Sequence, residues 1–150
     1  MHTNRYVTRD IATIGPDADL AAAAKVMRQH HVGFLVVVSE RNGVRHPVGV
    51  LSDRDIVMES VAEDISPHEL KVSDVMTTHP LVASIDDDLE DLLAHMRENG
   101  VRRVPVVDKN GTLAGIVSFD DLLQTLSRML GNMASSVINQ RVTEIEMRKQ

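Results

Sequence analysis

Two short motifs, each a serine followed three residues later by an aspartate, carry the side chains of this chain best suited to bind a ligand. Ser52 and Asp55 form the first motif, SDRD, and Ser118 and Asp121 form the second, SFDD. Each motif follows an apolar run and precedes a helical pattern, so each should lie where a strand ends and a helix begins. The first amides of a helix lack internal partners and attract phosphate. The serine hydroxyl suits a phosphate oxygen, and the carboxylate one turn along can accept bonds from two ribose hydroxyls.

The same spacing has an interpretation that needs no ligand. Ser-x-x-Asp is a variant of the capping box, in which the two side chains satisfy backbone amides at the start of a helix. For a single isolated copy, capping alone is the better interpretation.

The two motifs lie in two copies of one longer pattern. Residues 17–38 align with residues 86–107 at a shift of 69, and residues 49–56 align with residues 115–122 at a shift of 66. The difference falls in a loop at residues 40–43. Length variation in a loop between kept blocks is typical of a duplicated fold. Two similar halves usually pack with pseudo-two-fold symmetry, so the groove between them is the expected place for a site.

Each copy has the pattern strand, helix, strand, strand, helix. In the first copy we predict strands at 12–14, 33–38 and 47–51, a helix capped by Asp17, and a second helix over 52–60. In the second copy we predict strands at 81–84, 104–107 and 113–117, a helix that ends at Asn99-Gly100, and a helix from Ser118 toward Met129. An amphipathic helix follows, which must cover its own module or a partner chain; its apolar stripe consists of Leu130, Ala134, Val137, Ile138, Val142 and Ile145.

Composition narrows the function classes. A chain of 150 residues, 43% of them hydrophobic, can form one compact domain or two halves that share a core. The net charge of −6 and the lack of a basic block disfavour nucleic acid as a partner. No cysteine is present, which excludes disulfides and thiol chemistry and is consistent with a cytoplasmic protein. Neither a signal peptide nor a membrane-spanning run is apparent. Aromatic residues make up 2%, so a bound base would be held mainly by aliphatic side chains and backbone.

The blocks GVLSDRDIV and VRRVPVVDKNGTLAGIVSFDDLL resemble the CBS domain, the domain named for cystathionine β-synthase, and two in tandem form a Bateman module. The resemblance covers roughly residues 7–128. It implies an α/β fold of two pseudo-symmetric β-α-β-β-α repeats packed through their sheets, here with an additional C-terminal amphipathic helix. We assign repeat 1 to residues 7–62, a linker to 63–76, repeat 2 to 77–128 and a helical tail to 129–150. The family commonly forms dimers and binds adenosyl compounds in clefts between repeats.

The resemblance also implies roles for individual residues. Asp55 and Asp121 would hold ribose, while Ser52 and Ser118 would meet phosphate, and two copies in this context favour ligand binding over capping at one or both motifs. Other residues would surround the base through strand edges or side chains, although plain core packing is the better interpretation for the individual valines: Thr13, Ile14, Val32, Val82, Ala83, Val101 and Pro105.

The two clefts should not be equivalent. Arg102 and Arg103 in the second copy align with Gly33 and Phe34 in the first, and these arginines could grip phosphate or pair with the acidic helix that begins at residue 86. The first motif also contains Arg54, whereas the second contains Phe119. A nucleotide with several phosphates should therefore prefer a cleft reached by Arg54 or Arg103.

Metal binding and catalysis find little support in the sequence. The seven histidines are scattered or adjacent, without a ligand spacing, and the acidic run at residues 86–91 suits the first turn of a helix. No catalytic spacing of Ser, His and Asp is apparent. We therefore expect no enzyme activity, no metal and no required cofactor. The leading hypothesis is a cytoplasmic regulatory module that binds AMP, ADP, ATP or a related adenosyl ligand and signals through a homodimer or a separate effector protein. The alternatives are a ligand-free protein–protein interaction module and, less favoured, a phosphohydrolase.

Overall fold

The computed structural model describes residues 2–148 and divides the chain into two units, residues 1–117 and 118–150. The first unit contains most of two sheets, and the second consists of one long helix with the last residue of a strand before it. The predicted class is confirmed: two repeated α/β patterns are followed by a C-terminal helix.

The first repeat is built on a four-stranded sheet in the order β1-β2-β3-β4. Strand β1 (Thr13–Ile14) runs parallel to β2 (Phe34–Arg41), and β2 forms an antiparallel hairpin with β3 (Val44–Ser52). Both residues of the hairpin turn, Asn42 and Gly43, have positive φ, which is the conformation that Asn-Gly favours in a two-residue turn. The loop predicted at residues 40–43 is therefore shorter than expected and consists of this two-residue turn alone. Strand β2 continues to Arg41, and β3 begins at Val44.

Helix α1 (Leu20–His30) packs the first repeat into a core. Leu20, Ala23 and Met27 lie at helical spacing on its buried face, and they contact a cluster that includes Leu35 and Leu51 of the sheet. The prediction of Asp17 as the helix cap was wrong, because the chain is still in a turn at that residue. Asp19 caps the helix instead, and its carboxylate accepts a 2.7 Å hydrogen bond from the Ala22 N–H. This bond, with a smaller effect of His68, lowers the pKa of Asp19.

The second helix of the first repeat differs from the prediction. An α-helix over 52–60 was expected, but α2 (Asp53–Ile56) has a single α-helical turn and continues as a π-helical turn, Val57–Val61. Within that turn the side chain of Ser60 is buried and donates a 2.7 Å hydrogen bond to the carbonyl of Ile65. The wider turn leaves Val57, Met58 and Val61 more than half exposed.

The second repeat has a three-stranded sheet in the order β5-β6-β7. Strand β5 (Ala83–Ser84) runs parallel to β6 (Arg103–Val107), which neighbours β7 (Leu113–Ser118). Helix α4 (Leu89–Asn99) buries Leu89, Leu92 and Met96 and ends at Gly100 in the left-handed conformation, as predicted. Helix α3 (Val72–Val75) and strand β4 (Thr77–Thr78) come before this sheet in the chain.

The first residues of each repeat pair with the sheet of the other repeat, a feature that the sequence analysis missed. Thr77 pairs with Val50 of the first sheet, and Thr8 pairs with Ile116 of the second, with two backbone hydrogen bonds of 2.8 and 3.0 Å. The shift of 69 maps Thr8 onto Thr77, and the shift of 66 maps Val50 onto Ile116. The two sequence shifts therefore describe a pseudo-two-fold relation in three dimensions.

The next bridges toward the N-terminus obey the same relation. Asp19 bridges Lys71, and His2 bridges Asp88, which are the positions related by 69. The short 3₁₀ helix Thr3–Tyr6 corresponds to α3, and Thr3 is buried and donates its hydroxyl hydrogen to the Asp87 carbonyl at 2.8 Å. The exchange of these segments ties each repeat to the other by backbone hydrogen bonds as well as by side-chain packing.

Two glycines at equivalent positions make the exchange possible. Gly49 and Gly115 lie on the sheets where the crossing segments approach. A Cβ at Gly115 would stand 2.2 Å from the Thr8 carbonyl oxygen, and one at Gly49 would stand 2.5 Å from the Met76 sulfur and 3.0 Å from the Thr77 oxygen. Only a residue without a side chain allows the crossing strand to come this close.

We expect Gly115→Ala to lower the free energy of unfolding by about 1–3 kcal/mol, because the new methyl group would push Thr8 off the edge of the sheet. Urea denaturation measures this change. The matched control is Gly131→Ala in the long helix, where a Cβ meets nothing within 4 Å and should stabilise by about 0.5–1 kcal/mol. Equal stability of the Gly115 variant and the parent chain would contradict the role given to the crossing strand.

The second unit is helix α5, Phe119–Met147, which runs for 29 residues. The predicted tail helix is present and continues without a break through Gly131. Its apolar side chains are largely exposed, at fractions from 49% to 72%: Leu123, Leu126, Met129, Leu130, Met133, Val137, Ile138, Val142, Ile145 and Met147.

Candidate functional site

A cavity of about 200 Å³ lies between the two repeats in the first unit, and we call it the first cleft. Its floor consists of Val32, Phe34 and Val36, at the start of β2 and just before it. Alternate residues of an extended chain point to the same side, so these three side chains share one face. The crossing of Thr8 onto the second sheet brings Ile116 into the wall. The full lining is Thr8, Asp10, Ile11, Ala12, His30, Val32, Phe34, Val36 and Ile116.

An arginine of the second repeat stacks on the aromatic ring of the first cleft. The Arg103 guanidinium carbon lies 5.6 Å from the centroid of Phe34, within the range of a cation–π contact. Phe34 and Arg103 are related by the shift of 69, so they occupy equivalent positions in the two repeats. Their contact therefore lies near the pseudo-two-fold axis. One of the two phenylalanines in the chain lines this cleft beside five aliphatic side chains, and the expectation that a base would meet mainly aliphatic groups stays a prediction.

The sequence analysis also missed Asp10 and His30 as lining residues. Asp10 comes from the crossing segment, whose path depends on pairing between distant strands and was not predicted. Phe34 could have been found, since it alternates with the predicted Val32 on a strand.

The first Ser-x-x-Asp motif forms a complete capping box at the start of α2. Ser52 N–H donates to Asp55 Oδ2 at 2.8 Å, and Asp55 N–H donates to Ser52 Oγ at 3.1 Å. Both side chains thus serve the helix start, as the capping interpretation requires. Arg54 is exposed on the same turn, and Asp53 N–H donates to the Gly33 carbonyl at 2.9 Å.

The second motif has a different local geometry. Ser118 ends β7 and occupies the N-cap position of α5, but its side chain makes no capping hydrogen bond. Asp120 and Asp121 lie in the first turn of this helix, where their charge complements the helix dipole. The two copies therefore differ in geometry: the Ser52 side chain caps its helix, whereas the buried Ser118 side chain makes no capping hydrogen bond.

The remaining predicted residues of the first repeat lie on or beside β1. Thr13 pairs with Val36, and its hydroxyl accepts a 2.5 Å hydrogen bond from the Arg45 guanidinium. Ile14 packs against the buried core, so its side chain has the structural role that the alternative interpretation gave to such residues. Val32 lines the first cleft and is 40% exposed.

In the second repeat the predicted residues occupy equivalent places. Val82 is half-buried just before β5, Ala83 is buried within it, and Val101 donates its N–H to the Met96 carbonyl at 3.0 Å. Pro105 is fully buried in β6, while Arg103 at the start of that strand is exposed. The nearby Asp86 forms an ion pair with Lys109 at 3.9 Å.

A second cavity of about 370 Å³ lies where α1 ends and α2 begins. It shares Val32 with the first cleft and carries both charge signs, through Arg28 and Asp53. Its lining is Ala24, Met27, Arg28, His31, Val32, Gly33, Asp53, Ile56 and Val57. Of the thirteen predicted site residues, Val32 alone lines these two cavities.

Neither a metal site nor a membrane span has a candidate among residues 2–148. No three His, Asp or Glu side chains in this part of the chain converge in a way that could hold a metal ion. None of its helices is both long enough and apolar enough to cross a bilayer.

Comparison with known proteins gives a consistent family. The CBS domain family matches residues 4–62 and 72–128. The CBS domain-containing protein YhcV of Bacillus subtilis is 33% identical over 91% of this chain and 94% of its own length. An uncharacterized protein of Methanopyrus kandleri is 34% identical over 77% of this chain, which spans only 58% of that relative. The CBS domain protein PAE2072 of Pyrobaculum aerophilum, solved in complex with AMP, is 27% identical with a TM-score of 0.72, over 81% of this chain and 90% of that one.

Proposed function

The chain belongs to the CBS domain family, and from that premise we propose that it is a regulatory module that binds an adenosyl ligand such as AMP, ADP or ATP between its repeats. The observation that carries the proposal is the difference between the two Ser-x-x-Asp motifs. Ser118 stands at a helix start without capping it, so its hydroxyl need not leave a cap to meet a phosphate. The AMP complex of PAE2072 supports the same ligand class.

We assign phosphate binding to Ser118 and ribose binding to Asp121, and we keep Val82, Ala83, Val101, Arg103 and Pro105 as proposed ligand-binding residues of the second repeat. The first motif contributes Ser52, Asp55 and Arg54 to the other cleft with Thr13, Ile14 and Val32, but there ligand and capping box compete for the same two side chains. Because the Ser52 hydroxyl is held in a cap and the Ser118 side chain makes no capping hydrogen bond, we rank Ser118 as the stronger phosphate-binding residue.

Signalling would follow from linkage. A ligand that contacts both repeats stabilises the arrangement in which it binds best, and a second copy or an effector protein reads that arrangement. The crossing segments connect the two sheets by backbone hydrogen bonds. We propose that a shift of backbone at one cleft is transmitted to the other sheet through these bonds. We propose that the module regulates rather than catalyses, works in the cytoplasm as a homodimer, and needs no cofactor beyond its ligand.

The test is a ligand-dependent shift of thermal unfolding. At a ligand concentration about 100-fold above the dissociation constant, binding adds about 2.7 kcal/mol to the stability of the folded state. We expect at least one of ATP, ADP, AMP, NAD and S-adenosylmethionine to raise the melting temperature at millimolar concentration. Unchanged melting with all five would favour the rival function, a ligand-free protein–protein interaction module. Product formed from ATP during incubation would instead favour a phosphohydrolase.

A further inference from the structure

The β2–β3 hairpin of the first repeat is longer than its counterpart in the second repeat. The change of shift from 69 to 66 corresponds to three additional residues between the two aligned blocks. Strands β2 and β3 have eight and nine residues, whereas β6 and β7 have five and six. Two neighbouring side chains of this longer hairpin, Arg45 and His46, form hydrogen bonds outside it.

Arg45 extends across the sheet toward the first cleft. Strand β2 lies between β3 and β1, so the Arg45 side chain passes over β2 to donate its 2.5 Å hydrogen bond to the Thr13 hydroxyl. Thr13 pairs with Val36 in parallel register, and paired residues of neighbouring strands point to the same side of a sheet. Val36 lines the first cleft, whereas Ile14, the residue after Thr13, packs against the core. The guanidinium therefore lies on the cleft side of the sheet, beside the end of the cleft floor at Val36.

The neighbouring residue, His46, fixes the same hairpin to the second repeat. Its Nδ1 donates a 3.0 Å hydrogen bond to the Gly111 carbonyl, in the turn between β6 and β7. The Gly111 backbone has a positive φ, and a Cβ there would stand 3.3 Å from the same His46 nitrogen, so glycine suits this contact. Arg45 is thus held at its tip by β1 and at its backbone neighbour by the other repeat.

We infer that Arg45 is a ligand-binding residue of the first cleft and holds the phosphate of an adenine nucleotide whose nucleoside part occupies the cavity. This inference rests on the proposed function and adds to it a residue outside the repeated motifs. Its basis is the position of the Arg45 guanidinium next to Thr13, on the side of the sheet that Val36 presents to the cleft.

The Arg45 guanidinium has donors left for a ligand. It carries five N–H donors, and the hydrogen bond to Thr13 uses one of them. The side chain is exposed, and among residues 2–148 no carboxylate forms an ion pair with it. A guanidinium of this kind can bind phosphate through two parallel N–H bonds. The Ser52 hydroxyl is engaged in its cap, so a phosphate in this cleft needs another donor, which Arg45 supplies.

The charges along the cleft direct the phosphate to the Arg45 end. The floor runs from Val32 to Val36, and the parallel register places Thr13 beside Val36. Asp10, three residues before Thr13, therefore lies toward the Val32 end, where its carboxylate would repel an anion. The cavity of about 200 Å³ is smaller than the roughly 300–1,000 Å³ of sites that enclose larger ligands, so the phosphate would extend to the rim.

Isothermal titration calorimetry of the full chain with AMP and with adenosine tests this role. Arg45→Gln removes the charge and keeps a polar side chain. We expect it to weaken AMP binding by about tenfold and to leave adenosine binding within about twofold, because only AMP carries the anion. Where the isotherm resolves two AMP sites, only one of the two constants should change.

The matched control is Arg41→Gln. Arg41 is an exposed arginine of the same hairpin, at the end of β2, and its substitution removes the same charge. We expect the control to bind AMP and adenosine as the parent chain does. Both arginines are exposed, so thermal unfolding without ligand should change little in either variant and serves as the folding control.

The outcomes separate the inference from the proposed function. An Arg45→Gln variant with an unaltered ratio of AMP to adenosine affinity overturns the inference and leaves the sensor function standing. Equal losses of AMP affinity in Arg45→Gln and Arg41→Gln also overturn it, because they would reflect the overall charge of the hairpin. Binding of neither adenosine nor AMP by the parent chain up to millimolar concentration overturns the inference, and it removes the sensor function as well once the other adenosyl compounds also fail.

Discussion

Replacement of Asp121 by alanine should weaken binding of an adenine nucleotide by about 100-fold. A carboxylate that accepts hydrogen bonds from two ribose hydroxyls contributes two bonds to a charged group, each worth about 1.5–3 kcal/mol, and the loss of both corresponds to at least two orders of magnitude in affinity. Titration calorimetry of the parent and variant chains measures the ratio, and the ligand-dependent shift in melting temperature should shrink with it.

The matched control is Asp120→Ala in the same helical turn. Asp120 and Asp121 both lie in the first turn of α5, so each substitution removes one favourable interaction with the helix dipole. Only Asp121 has the Ser-x-x-Asp spacing. If Asp120→Ala weakens binding as much as Asp121→Ala does, the loss reflects general negative charge or helix stability, and the ribose role of Asp121 is wrong.

At the first motif, two substitutions of Asp55 distinguish a capping role from a ligand-binding role. Asp55→Ala removes the 2.8 Å bond to the Ser52 amide, so it should lower stability by about 1 kcal/mol, the usual value of a cap. Asp55→Glu keeps a carboxylate at the preferred third position of a capping box and should keep this stability. A loss of ligand in both variants would mark Asp55 as a ligand residue, whereas a loss of stability in the alanine variant alone would mark it as a cap.

Local patterns predicted the elements of this fold well, because each element depends on residues close together in the chain. The strand predicted at residues 33–38 corresponds to β2, which runs over Phe34–Arg41, and the apolar residues of α1 are buried at the expected spacing. The errors were also local: the helix cap moved from Asp17 to Asp19, since both are good capping residues and the sequence does not say which one ends the turn. The π-helical turn after α2 had no sequence signal.

The parts of the site that were missed depend on long-range pairing. Thr8 and Asp10 reach the first cleft only because the N-terminal segment crosses onto β7, and nothing within ten residues of Thr8 specifies that partner. The duplicated pattern held the information nevertheless. Thr77 is the equivalent of Thr8, and Gly49 and Gly115 mark the two points of close approach. Alignment of the two repeats therefore predicts contacts between them that the sequence of one repeat alone does not predict.

Deletion of residues 132–150 should convert the protein from a dimer into a monomer at micromolar concentration, as measured by multi-angle light scattering. A helix of 29 residues is about 43 Å long, and ten apolar side chains along α5 are 49–72% exposed. A long exposed apolar stripe of this kind is typical of a surface that another chain covers. We assign this surface to a second copy of the chain, because a homodimer buries two identical stripes against each other.

Point variants test the same interface without shortening the helix. Leu130→Glu places a charge in the centre of the stripe, where Leu130 is 58% exposed, and it should dissociate the dimer by removing apolar burial and introducing two like charges across the two-fold axis. Asn139→Glu is the matched control: glutamate is a good helix former at both positions, but Asn139 lies on the opposite face, about 180° around the helix from Leu130. The control should remain a dimer. A monomeric parent chain, or a dimer that survives both the deletion and Leu130→Glu, would show that α5 covers a different surface and that the copies associate elsewhere if they associate at all.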